Sequence, residues 1–247
     1  MSTEYTFPTE TVDLPSKGVL YPKDSPLSSG TIIMKYMTAK EEDILTNTNY
    51  IGKGIVIDKL LQSLIVDKSI KYNDLLVGDK NALLVAARIL GYGAQYEFEY
   101  DGVRESVDLS TIENKEFNTD ILIEGRNEIA FTLPSSGTNI TFKLLTHGDE
   151  QKIDQEIKGL QKINKEASPE LSTRLKHMIL SVDGLTDTKN IRDFVDNAFL
   201  ARDSRAFRKY LNEIQPDVDL KFHPEDGPEE GANIPIGITF LWPDSEL

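Results

Sequence analysis

A chain of 247 residues that is 39% hydrophobic and 8% aromatic can bury one large core or two modest ones, which excludes a disordered class. Its 41 acidic residues against 27 basic ones leave a net charge of −14, which argues against nucleic acid as a partner, since phosphate binders rely on Lys and Arg. The absence of cysteine excludes disulfides and thiolate metal sites, and no apolar run approaches the roughly 18 residues that would cross a membrane.

The start, MSTEYTFPTET, has neither the basic opening nor the apolar stretch of a secretory signal, so the expected compartment is the cytoplasm of the cell that makes the protein. Pro8, Pro15, Pro22 and Pro26 break any helix across residues 1–30. This arm is expected to lie extended over a surface, its own or a neighbour's. Thr31 to Tyr36 reads as a strand that leads into a helix at Thr38.

Residues 31–93 read as a helical core. Thr38 followed by Glu41 is a capping box, in which each side chain satisfies a free backbone N–H of the first turn. Gly52-Lys53-Gly54 lacks the remaining Walker spacing and reads as a hinge between helices. Asp79 is positioned to cap a long helix that Gly91 and Gly93 can end through positive φ. Between them, only Arg88 interrupts the apolar run of Ala82, Leu83, Leu84, Val85, Ala86, Ala87, Ile89 and Leu90. A helix apolar on every face must be buried on every side.

Residues 94–146 change to two-residue alternation. Tyr96, Phe98 and Tyr100 alternate with Glu97 and Glu99, and Asp101-Gly102 turns the chain into Val103 to Val107. Ile121 and Ile123 precede a turn at Gly125-Arg126-Asn127, after which Ile129, Phe131 and Leu133 share one face. Asn139 to Leu145 adds a last strand. The expectation is one small antiparallel sheet of four or five strands, inserted between helical parts.

Residues 147–215 return to helices, with apolar stripes on Ile153, Ile157, Leu160 and Ile163; on Leu171, Leu175, Met178 and Ile179; on Ile191, Phe194, Val195, Ala198 and Phe199; and on Ala206, Phe207, Tyr210, Leu211 and Ile214. Ser168-Pro169 opens the second at its cap and first turn. Residues 216–247 form an acidic tail, with eight acidic residues against Lys221 alone. Its end, Asn233 to Trp242, reads as a terminal strand with Pro235 near its start. The fold class is therefore α+β.

No catalytic pattern emerges. His147, His177 and His223 share no local motif, and no G-x-S-x-G nucleophile turn occurs. Glu41-Glu42-Asp43 sits in a first helical turn, where acids offset the helix dipole and adjacent side chains point about 100° apart. No catalytic residue, cofactor or metal site is expected. The candidates for partner binding are surfaces. Arg202, Arg205, Arg208 and Lys209 bring four cations against Asp203 alone, and three of them share a helix face. They can serve an acidic partner or the chain's own tail. Phe240 and the sole tryptophan, Trp242, stand together near the end, as a core plug or an interface anchor.

The blocks LPSKGVLYP, EEDILTN, DLLVGDKNALLVAARILGYG, RLKHMILSVDG, IRDFVDNAFLARDSRAFRKYL and IGITFLWP resemble the baseplate hub assembly proteins of T-even-like contractile-tailed phages, in the same order from about Leu14 to Pro243. The resemblance implies assembly of the central hub through protein–protein binding, as an assembly factor or chaperone. A structural hub subunit retained in the virion is the alternative, and a hub-associated lytic enzyme stands behind both. Implied partners are other hub or tail subunits, with no nucleic acid and no membrane, in the host cell cytoplasm and in the finished baseplate if the chain is retained. Members of this broad family often carry a cysteine-rich hairpin before the final strand. KFHPEDGPEEGANIPIGITFLWP keeps the flanks without any cysteine, which excludes a zinc knuckle there.

Overall fold

The computed structural model describes residues 7–163, 169–224, 231–236 and 238–242, and they form an α+β fold. Thr9–Asp13 (β1) pairs antiparallel with Thr31–Lys35 (β2), Thr9 facing Lys35 and Asp13 facing Thr31. The Pro-rich segment between them packs into the chain's own core, with Leu14, Leu20, Tyr21 and Leu27 buried. Gly18 and Gly30 meet back to back there at φ +77 and +73, and a Cβ on Gly18 would lie 2.5 Å from the Ser28 carbonyl oxygen. Only glycine permits that approach.

Three short helices follow, Ala39–Leu45 (α1), Thr48–Gly52 (α2) and Val56–Leu64 (α3), and then the long Val77–Tyr92 (α4). The capping box at Thr38 forms, with Glu41 taking the Thr38 N–H at 3.1 Å and its hydroxyl at 2.6 Å. Glu41 is 0% exposed, and it also binds the Lys35 ammonium and the Ser63 hydroxyl, each at 2.7 Å. Gly52 to Gly54 joins α2 to α3 as expected. In α4, Arg88 is buried with its guanidinium on the carbonyls of Gly93 and Gln95, at 2.8 and 2.9 Å.

Asp79 corrects the reading of this helix. Leu76 is the cap and Asp79 lies inside the first turn, fully buried. Its carboxylate accepts the Ser16 N–H at 2.9 Å, the Ser16 hydroxyl at 2.6 Å and the Tyr21 hydroxyl at 2.5 Å. The Tyr21 oxygen accepts the Leu76 N–H at 2.8 Å, which caps α4 from the N-terminal segment. A buried acid needs donors, and the Pro-rich loop supplies them where water cannot.

The expected single sheet is two separate ones. Gln95–Tyr100 (β3) and Val103–Asp108 (β4) form a hairpin closed by Asp101 at φ 49 and Gly102 at φ 79, the geometry that an Asp-Gly turn favours. Ile129–Thr132 (β5) and Asn139–Phe142 (β6) form another, and Ile179–Val182 (β7) joins β6 to complete a three-stranded sheet. Ile121 and Ile123 belong to neither. Asn118 accepts from the Asp120 N–H and turns Thr119–Ile121 into a 3-10 turn that leaves both isoleucines exposed.

The C-terminal helices are His147–Ile163 (α5), Glu170–Met178 (α6), Thr188–Asn197 (α7) and Ala201–Ile214 (α8). Ser168, expected to open α6, lies outside the described residues. Phe207 of α8 plugs into the three-stranded sheet, edge-on to Phe142 at 4.8 Å, and Tyr210 stacks on Phe131 at 4.5 Å. The tail then returns to the hairpin. Lys221–Phe222 (β8) pairs with Ala232–Asn233 (β9), and Phe222 meets Phe98 edge-on at 4.8 Å.

The expected terminal strand is also corrected. Pairing stops at Asn233, just before Pro235, which has no N–H to donate, and Ile238–Leu241 forms one helical turn (α9). That turn drives Phe240 and Leu241 into the core, with Phe240 edge-on to Tyr96 at 4.9 Å.

Candidate functional site on the C-terminal helices

Helix α8 divides into two sectors at about 100° per residue. Ser204, Phe207, Leu211 and Ile214 face inward or line a cleft, while Arg202, Arg205, Arg208 and Lys209 fill the neighbouring sector and are exposed. Asp203, in the first turn, is buried, and it anchors the helix by accepting the backbone N–H groups of Ser135 and Ser136 at 2.7 and 3.0 Å. Burial works against that carboxylate, yet the serine N–H groups hold it below the usual range. Its negative charge is thus used by the β5–β6 loop and does not neutralise the arginines.

The basic sector has few internal partners. Arg208 donates from Nε to the Ser204 carbonyl of its own helix at 3.3 Å. Lys209 approaches Glu213 at 3.8 Å, both well exposed, a pair of little energetic weight. Among the described residues Arg202 and Arg205 form no ion pair, and none of the four pairs with the tail after Pro216. Of the described tail carboxylates, Asp217 is used elsewhere, accepting from Asn81 at 2.9 Å.

Beside this sector runs a cleft of 340 Å³ between α6 and α8. Leu171, Arg174, Leu175 and Met178 form one wall at spacings of three and four; Phe207, Arg208, Leu211 and Gln215 form the other. Leu171 at the mouth is 44% exposed. Arg174 on its wall is neutralised, forking onto both Glu150 oxygens at 2.7 Å. Other apolar side chains on these elements are exposed as well, Leu200 before α8 and Ile163, 86% exposed, at the end of α5. The α5 stripe therefore divides, Ile153 entering the core while Leu160 and Ile163 remain outside it.

Ion pairs hold these helices in place. Arg192 of α7 forks onto Glu156 of α5 at 2.7 and 2.8 Å, and His177 of α6 reaches the same carboxylate at 2.9 Å. The Arg192 bonds, opposed by partial burial and aided by His177, keep Glu156 at about 2. Lys176 and Asp196 add a 2.6 Å pair between α6 and α7. The cleft walls thus stand on a braced frame.

Phe240, read as a candidate anchor, is 0% exposed and cannot meet a partner on the folded surface. Trp242 is half-buried against the core. The four basic residues lie together, and the two C-terminal aromatics lie apart from them with the tail.

A second polar cluster carries catalytic residue types. Asp58 Oδ2 lies 3.2 Å from His147 Nε2, while Asp58 Oδ1 meets Lys80 Nζ at 2.9 Å and the Tyr72 hydroxyl at 3.0 Å. Lys80 Nζ also lies 3.2 Å from His147 Nδ1. Burial opposes the Asp58 charge, but His147 and Lys80 outweigh it and hold the carboxyl at about 2. Among the described residues both imidazole nitrogens have partners, Nδ1 facing Lys80 and Nε2 facing Asp58 and Gln151. The arrangement links α3, α4 and α5. Among the described residues no three His, Asp or Glu side chains are grouped to hold a metal ion.

Sequence reasoning missed the cleft because Leu171, Leu175 and Met178 read as core. The available signal was Arg208 beside the inward stripe of α8, a cation where a core helix would place a neutral boundary residue. Comparison of the chain with family models, curated proteins and solved structures finds no match.

Proposed function

We propose that the protein takes part in assembling the central hub of a contractile phage tail baseplate, binding other hub or tail subunits through its surface and catalysing no reaction. Two lines support the reading. The ordered blocks from LPSKGVLYP to IGITFLWP resemble hub assembly proteins along most of the chain. The observation that carries it is the exposed C-terminal face, where Arg208 lines a cleft with Leu171 at its mouth, and Arg202 and Arg205 on the same helix form no ion pair among the described residues. Apolar side chains rimmed by charge are what a protein-binding surface requires.

The test is deletion of the reading frame from the phage that encodes it, with quantitative mass spectrometry of particles and of assembling cells. Loss of hubs, restored by the chain in trans, is expected. Abundance in cells and absence from particles marks an assembly factor; a fixed small copy number marks a retained subunit. Normal hubs without the chain overturn the reading, as does lysis of peptidoglycan by the purified protein in a zymogram.

A further inference from the structure

We propose that the α6–α8 cleft and the basic sector beside it dock an acidic segment of a partner protein, one that presents a bulky apolar side chain between carboxylates. The inference deepens the protein-binding reading above and rests on it, adding the chemistry of the partner.

The cleft selects an apolar anchor. Leu171, Leu175, Met178, Phe207 and Leu211 line it, and its 340 Å³ is at the lower end of the roughly 300–1,000 Å³ typical of ligand sites. That volume takes an anchoring side chain with the backbone crossing above it, and is too small for a whole helix. Leu171 would bury its exposed face on docking.

The rim selects the charge. Both walls carry an arginine, but they differ in what they have left to offer. Arg174 is bidentate to Glu150 and also 3.7 Å from Glu170, so its charge is already matched. Arg208 donates to the Ser204 carbonyl of its own helix and meets no carboxylate among the described residues. A guanidinium fork is shaped for bidentate carboxylate binding, and Arg205 and Arg202 repeat the charge along α8. The partner's acids would align along that side, with its apolar residue turned into the cleft. Elsewhere the protein is acidic, with a net charge of −14, so an acidic segment is repelled by most of the surface and admitted here. Register and specificity follow from that contrast.

The test is an NMR titration of the full ¹⁵N-labelled chain with a short synthetic peptide of Asp and Glu flanking a Leu-Phe pair. Two controls replace Leu-Phe by Ala-Ala, or the acids by Lys. Backbone shifts are expected at Leu171, Arg174, Arg208 and Leu211, and much weaker ones with either control. Arg208→Glu and Leu171→Asp change exposed side chains, and each is expected to weaken binding at least about tenfold with an unchanged circular dichroism spectrum. The proposal is overturned if millimolar acidic peptide leaves those amides unmoved, if both variants bind as well as the parent, or if the Lys peptide binds equally. Self-association by sedimentation equilibrium that Leu171→Asp abolishes would give the face to a second copy and also overturn it. This measurement uses the isolated chain, whereas the hub assignment is decided in particles, so the failure of one is separable from that of the other.

Discussion

Asp79 and Glu41 are both buried carboxylates in first helical turns, yet their surroundings set their titration in opposite directions. For Asp79, burial raises the pKa despite the three donors from Ser16 and Tyr21. For Glu41, burial also opposes the charge, but Lys35, Thr38 and Ser63 outweigh it and hold the group at about 2. A carboxyl with a folded pKa below its unfolded value of about 4.3 adds stability above that value and loses it as pH falls toward 2. Glu41→Gln should therefore cost about 1.5–3 kcal/mol at neutral pH, a difference that shrinks as pH falls below about 4.3 and closes at about pH 2, where the folded parent acid is protonated. Urea midpoints at pH 7 and at about pH 2 check this, and an unchanged gap at low pH would show that charge is not the cause. Tyr21→Phe tests the other acid. Its hydroxyl donates to Asp79 and accepts from Leu76, so its loss leaves a helix-capping N–H and a carboxylate oxygen underbonded in the core. A loss of about 1–3 kcal/mol is expected in urea unfolding.

Helices legible in the sequence are those whose signals are local. The capping box at Thr38, the Asp101-Gly102 turn and the stripes of α7 and α8 each depend on residues within one or two turns, and each forms. Strand β7 was hidden because Ile179 continues the apolar phase of α6, while its pairing partner Thr141 lies 40 positions from Ser181. Periodicity identifies the apolar face of an element and says nothing of what lies opposite, which is why the cleft walls read as core. Two glycines separate space from propensity at this scale. A Cβ on Gly78 in α4 would lie 1.9 Å from the Pro216 carbonyl oxygen, whereas one on Gly159 in α5 would meet nothing within 4 Å. Gly78→Ala must push the tail away from α4 and should cost about 1–3 kcal/mol or more. Gly159→Ala should stabilise by up to about 1 kcal/mol through helix propensity alone. Thermal melts of the two variants check the opposite signs.

Across the whole molecule, one hydrophobic cluster runs from Leu14 to Leu241, so both described ends of the chain belong to the same core. The acidic composition of residues 216–247 conceals the apolar residues between the acids. Val218, Phe222, Ile234 and Phe240 are buried, and the backbone links Lys115 to Asp217 and Asp219 to Glu113. Removing that packing would uncover Tyr96 and Phe98 on the hairpin, so the tail should not unfold ahead of the rest. Trp242 reports on it directly, being the sole tryptophan and half-buried against the cluster. Its fluorescence and the far-ultraviolet circular dichroism of the helices should therefore follow one urea transition with a common midpoint. A fluorescence change at lower urea than the loss of helix would make the tail a separately melting unit. Coincidence would instead mean that any partner drawing the tail from the body must supply the free energy of opening the whole core, which favours the braced α6–α8 face as the surface available to the folded protein.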